Sequence, residues 1–169
     1  MSIPQTRAGS AHASCSARAS VVFPALDAPF RTTITVVTID NLPTGGLLIV
    51  DGANVVGSVP DGWWRDRAGA AARLRDRLAA AAVEGGVLAA VEVVLVVEGK
   101  ARHIGTSEGI RVVSSPGSGD DTIVEVAGAA AGTGAGPVTV VTADRGLRER
   151  LAAVGASAIG PGTLHRWLE

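Results

Sequence analysis

Five carboxylates stand where apolar runs end. Asp51 directly follows Leu47-Leu48-Ile49-Val50, Glu98 closes the run VEVVLVVE, Asp120 and Asp121 follow a Gly/Ser-rich turn behind Ile110 to Val113, and Asp144 follows VTVVTA. Taken singly, each Asp reads well as a helix N-cap, a role that stabilises a helix by about 0.5 to 2 kcal/mol. Taken together, they repel one another at a shared edge unless a cation neutralises them or some take up protons. Mg2+ or Mn2+ answers that need, because hard cations take oxygen ligands and Mg2+ retains waters that a substrate can displace. An ion held this way polarises a phosphoryl oxygen and lowers the pKa of a bound water. The chemistry expected is therefore hydrolysis of a phosphodiester without a side-chain nucleophile. His103 and His165, in a loop and in the last helix, read as surface residues rather than as bases.

The elements that must position these acids are legible in the apolar pattern. Leu47 to Val50 is a short, wholly apolar run of the kind that forms a strand buried on both faces. Further strands are expected at Val91 to Glu98, Ile110 to Val113, Val138 to Thr142 and Ser157 to Ile159. Helices are expected over 62 to 84 with Asp61 as cap and Gly85-Gly86 as stop, from Asp121 to Ala131, from Arg145 to Val154, and as a turn over Thr163 to Leu168. The Gly/Ala stretch 128 to 136 reads as a helix end running into a loop. Strands alternating with helices predict an α/β fold: three layers, a mostly parallel five-stranded sheet with helices on both faces. In such a sheet ligands bind outside the C-terminal strand ends, near the point where strand order reverses.

Composition sets limits. Among 169 residues, 47% are hydrophobic and only 3% aromatic, so the core is built from Val, Leu, Ile and Ala. Fifteen basic and sixteen acidic side chains leave a net charge of −1, which excludes a global positive field for nucleic acid and requires a local patch instead. Lys100 is the only Lys among the bases, and Arg favours forked phosphate contacts. One cysteine, Cys15, permits no intrachain disulfide and no cysteine zinc cluster. No apolar run reaches the roughly 18 residues that span a membrane. A cytoplasmic protein with no membrane association is expected. Residues 1 to 44 are rich in Ser, Ala, Thr and Pro without sustained periodicity and read as a flexible, disordered extension, apart from a candidate strand at 33 to 40; residues 45 to 169 form the domain.

DGANVVG at 51 to 57, GSGDDTIVE at 117 to 125 and VVTADRGLRERL at 140 to 151 resemble the NYN domains of the PIN-like nuclease superfamily, particularly the YacP-like branch. The resemblance spans roughly 46 to 169. It implies a metal-dependent ribonuclease with Asp51, Asp121 and Asp144 as catalytic, metal-holding acids, Asp120 sharing the second position, and Mg2+ or Mn2+ as cofactor. It further implies that the strands ending in Asp51 and Asp144 are neighbours. Asn54 is similar to an Asn that orients ligands or phosphate, and Thr142 to a hydroxyl neighbour of the third acid. Many members carry a fourth acid from a helix; Glu125, one turn after Asp121, and Glu98 are the candidates here.

RNA is the expected partner. Lys100, Arg102, Arg145 and Arg148 begin at the same sheet edge and are candidates to grip its phosphates, or else ordinary solvated charge. Trp63 and Trp64 can stack on a base or anchor a helix. A homodimer and an antitoxin partner stay open. The rival functions are a non-catalytic RNA-binding or protein-interaction module and the toxin of a toxin-antitoxin pair. A P-loop NTPase is set aside because GTGAG at 132 to 136 lacks the Lys of a phosphate cradle. A haloacid-dehalogenase-type phosphatase is set aside because Ala53 stands where a second Asp is needed.

Overall fold

The computed structural model describes residues 45–169. The expected extension and the candidate strand at 33 to 40 lie outside the described residues. Five strands, β1 (Leu47–Asp51), β2 (Glu92–Val97), β3 (Ile110–Ser114), β4 (Val138–Val141) and β5 (Ser157–Ile159), pair in parallel in the order β3-β2-β1-β4-β5. The chain runs outward from β1 to β3, then returns to the other side of β1 with β4. The strand order thus reverses between β1 and β4, as the resemblance implies.

Helices α1 (Gly52–Gly57), α2 (Arg67–Ala82), α3 (Gly119–Thr133), α4 (Arg145–Ala153) and α5 (Pro161–Trp167) cover the sheet. Alternate strand residues point to opposite faces. Leu48, Val50, Val93 and Leu95 pack with Val55, Leu74, Leu78, Leu164 and Trp167 on the face of α1, α2 and α5. Leu47, Ile49, Val94 and Val140 pack with Ile123, Ala127, Leu147 and Leu151 on the face of α3 and α4. Asp51 continues the second set, two residues beyond Ile49, so its side chain follows the α3 and α4 face. Each fully buried Leu contributes about 1.5 to 3 kcal/mol, which makes the buried strands the rigid base on which the acids stand.

The helix expected over 62 to 84 is interrupted. Asp61 accepts from the Trp63 N–H at 3.0 Å and opens a 3-10 turn over Trp63–Arg65; Asp66 then caps α2 by accepting from the Gly69 N–H at 2.9 Å. Asp is a strong N-cap, and here a second one five residues on starts a new helix. Trp64 consequently leaves the apolar stripe and stands 55% exposed. α3 begins earlier than expected, at Gly119, so Asp120 and Asp121 both lie in its first turn rather than capping it.

Candidate functional site

Asp51 is 7% exposed and held from two sides. The Asn54 N–H donates to its Oδ1 and the Thr142 hydroxyl to its Oδ2, each at 3.0 Å. Thr142 is wholly buried and its Oγ1 also accepts from the Asp144 N–H at 3.2 Å. Asn54 Oδ1 accepts from the Ala143 N–H at 3.0 Å. These bonds lock the end of β1 to the end of β4 across the switch point. Thr142 is buried and stands as the hydroxyl neighbour of both Asp51 and Asp144. Asn54 also clamps the two strand ends, and it lines the concavity that they frame.

That concavity, of about 260 Å3, is lined by Asp51, Ala53, Asn54, Glu98, Gly119, Asp120 and Asp144. Each acid arrives by a separate local device. Gly52 lets the chain turn straight from β1 into α1, because a Cβ there would lie 2.7 Å from the Val96 carbonyl oxygen. Glu98 leaves the end of β2 and its Oε2 accepts from the Gly119 N–H at 2.6 Å, pinning the start of α3. Asp144 caps α4 through the Leu147 N–H at 2.7 Å. The cap reading and the site reading of Asp51 and Asp144 thus coexist in the same side chains.

Asp121 is elsewhere. Its Oδ1 accepts from Arg150 Nη2 at 2.7 Å, in an exposed ion pair. The cause is helical phase. Asp120 shares a stripe with Ile123 and Ala127, the buried residues of α3, whereas Asp121 shares one with Glu125, which is exposed and does not line the concavity. The acids that line the recess are thus Asp51, Glu98, Asp120 and Asp144, without Asp121 or Glu125. Among the cations, Lys100 lines an adjoining cavity. Arg102, whose Nε donates to the Gly99 carbonyl, and Arg148, whose Nε donates to that of Thr142, line neither recess, nor does Arg145.

The electrostatics follow from crowding. Burial pushes the Asp51 carboxyl above its ordinary value; the hydrogen bonds from Asn54 and Thr142 oppose this, and the charges of Asp120 and Glu98 add to the rise. Burial also raises Asp120, followed by the charge of Asp144; Arg150 opposes the rise, and Glu98 and Asp121 reinforce it. Among the described residues no three acidic or imidazole side chains stand close enough to clasp an ion as they are. The fit to a cation lies in the donor set: four carboxylates on one recess, two of them held up in part by their neighbours' charge. A hard divalent ion suits that set, and drawing the side chains around it would relieve the repulsion.

The domain has a YacP-like α/β fold. It is similar to crystal structures of Rae1 (YacP) from Bacillus subtilis: one at 20% identity and a TM-score of 0.60, covering 72% of each chain, and one of a mutant at 20% identity and a TM-score of 0.56, covering 73% of this chain and 74% of that one. No family model and no curated protein matches the sequence. At this identity the likeness concerns the fold. Also among the described residues, no helix is long and apolar enough to cross a membrane.

Proposed function

We propose that this chain is a metal-dependent ribonuclease of the NYN/PIN-like type, with Asp51, Glu98, Asp120 and Asp144 as the acids that hold Mg2+ or Mn2+. The observation that carries the reading is the convergence of these four carboxylates on one recess at the switch point, where an open parallel sheet binds ligands. The sequence resemblance to NYN domains and the YacP-like fold support the same reading. When bound, the ion would supply Lewis acidity at a phosphoryl oxygen and a water acidic enough to attack phosphorus.

The chain's own residues do the rest. Thr142 and the Asn54 N–H fix both oxygens of Asp51, so its orientation is set before substrate arrives. Asn54 lines the recess and is the neutral group beside the acids. Glu98 ties β2 to α3, and so sets where Asp120 stands relative to Asp51. The exposed rim admits a polyanion only after the acidic charge is neutralised, which makes cation binding a precondition of phosphate binding.

The test is cleavage of labelled single-stranded RNA by the purified full chain in Mn2+, with EDTA and with Asp51→Asn as controls. Cleavage that needs Mn2+ and falls at least 100-fold in Asp51→Asn is expected. RNA binding without cleavage by the parent chain would instead make the domain a non-catalytic RNA-binding module.

A further inference from the structure

Beside the acidic recess lies a second cavity of about 270 Å3, and the two share Ala53 and Glu98 on their walls. Its character is different. Val56, Ala71 and Val97 give it an apolar lining, the Trp63 ring contributes an aromatic surface, and Lys100 and Arg67 contribute cations. The Arg67 guanidinium lies over the Trp63 ring, 5.4 Å from its centroid. Three contacts hold that ring in place. Asp61 fixes the Trp63 backbone, Trp64 packs edge-on with centroids 6.2 Å apart and planes at 83°, and Arg67 stacks on it. The interruption of the helix at Asp66 is what turns Trp63 toward this cavity instead of along the α2 stripe.

We propose that this cavity is a nucleobase subsite: it takes one unpaired base of the RNA strand whose neighbouring phosphate lies over the acidic recess. The proposal rests on the ribonuclease reading for its substrate and deepens it by naming the substrate class, single-stranded RNA with a base free to swing out. A volume below the roughly 300 Å3 of drug-sized sites suits a single ring system rather than an extended ligand. An aromatic ring stacks on any base, and the guanidinium adds a planar, donor-bearing partner for a base edge. Lys100 and Arg67 offer positive charge next to a recess that otherwise carries only acids, where the strand must pass. Paired bases are stacked inside a duplex and cannot enter, so duplex RNA is excluded.

The test is an abasic scan. Short single-stranded oligoribonucleotides, each lacking one base at a different position, are bound to the full chain in Mn2+ with Asp51 left intact, and the bound strands are recovered and sized so that affinity is read on uncleaved RNA. One position is expected to lose affinity about tenfold or more, on the scale of one stacked base. Trp63→Ala should lower the affinity of the intact strand by a similar factor and abolish the sensitivity at that position. Trp63→Phe should restore most of both, and Val83→Ala, at an exposed apolar residue outside the cavity, should change neither. Melting curves on the Trp63 variants separate loss of the subsite from loss of fold, and Trp63→Phe keeps the test decisive if Trp63→Ala unfolds. A position-specific, Trp63-dependent loss in a chain whose parent never cleaves RNA upholds the subsite and overturns the nuclease reading. Cleavage that proceeds with no Trp63-dependent position overturns the subsite and leaves the nuclease reading standing. Failure of the parent to bind RNA in Mn2+ overturns the subsite as well.

Discussion

Asp120→Asn and Asp121→Asn, one residue apart in the first turn of α3, are expected to behave oppositely. Both substitutions lose a similar favourable interaction of a carboxylate with the helix N-terminus, about 0.3 to 1 kcal/mol, so the difference between them isolates the surroundings. Asp121→Asn also breaks the exposed pair with Arg150, worth about 0.2 to 1 kcal/mol. Asp120→Asn instead relieves the cost of burying a charge and the repulsion from Asp144, Glu98 and Asp121, offset in part by losing the attraction of Arg150, a net gain of under about 1 kcal/mol after discounting for solvent screening. In EDTA, Asp120→Asn should therefore be the more stable variant by about 1 kcal/mol, roughly 4 °C in Tm for a domain of this size. In Mn2+ at ten times the parent's Kd, the parent and Asp121→Asn should both gain about 1.4 kcal/mol by mass action, and Asp120→Asn should gain much less. Scanning calorimetry across a Mn2+ series reads both effects. The reasoning fails if Asp121→Asn loses the cation-induced gain while Asp120→Asn keeps it.

Glu98→Gln retains an acceptor for the Gly119 N–H but removes a charge from the recess; stability should change by less than about 1 kcal/mol while RNA cleavage falls about 100-fold or more, read by melting and single-turnover rates. The raised carboxyl of Asp51 fixes a pH dependence. Folded Asp51 holds its proton more tightly than the unfolded chain, whose ordinary value is 3.8, so without divalent ions stability is lost as pH rises above about 4 through the folded value. Tm measured from pH 4 to 7 in EDTA should fall more for the parent than for Asp51→Asn. Gly52→Ala places a Cβ against the Val96 carbonyl and should destabilise by about 1 to 3 kcal/mol and weaken Mn2+ binding by displacing Asp51, measured by denaturant unfolding and by calorimetric titration.

The centre of the sheet was legible because β1 and β2 are unbroken apolar runs, LLIV before Asp51 and VVLVV before Glu98, the signal of strands covered on both faces; β3, β4 and β5, which carry Arg111, Thr139 and Ser157, gave a weaker one. The pairing of β1 with β4 came through the resemblance, not through periodicity. Helix phase was available but unused: Asp120, Ile123 and Ala127 fall on one stripe, and a buried stripe points the acid that begins it toward the sheet. Asp121 and Glu125, one turn apart, share the solvent face of the same helix, so one-turn spacing by itself does not separate them from Asp120 and Glu98. The break at Asp66 was hidden because Ala-rich sequence on either side suits a helix equally, and the cap that decides the matter depends on a backbone turn set by Asp61. The resemblance put Thr142 beside Asp144, but its bond to Asp51 was not legible, since it depends on the distance between the ends of β1 and β4.

The central claim is that the recess between β1 and β4 binds a divalent cation. Paramagnetic broadening of backbone amide signals by substoichiometric Mn2+ tests it most directly. Signals of Gly52 to Asn54, Gly119 to Asp121 and Ala143 to Asp144 should broaden together, and the effect should be lost in Asp51→Asn, while Gly46 and Arg111 at the opposite edge of the sheet stay sharp. Broadening that spares the recess, or that persists unchanged in Asp51→Asn, would contradict the account.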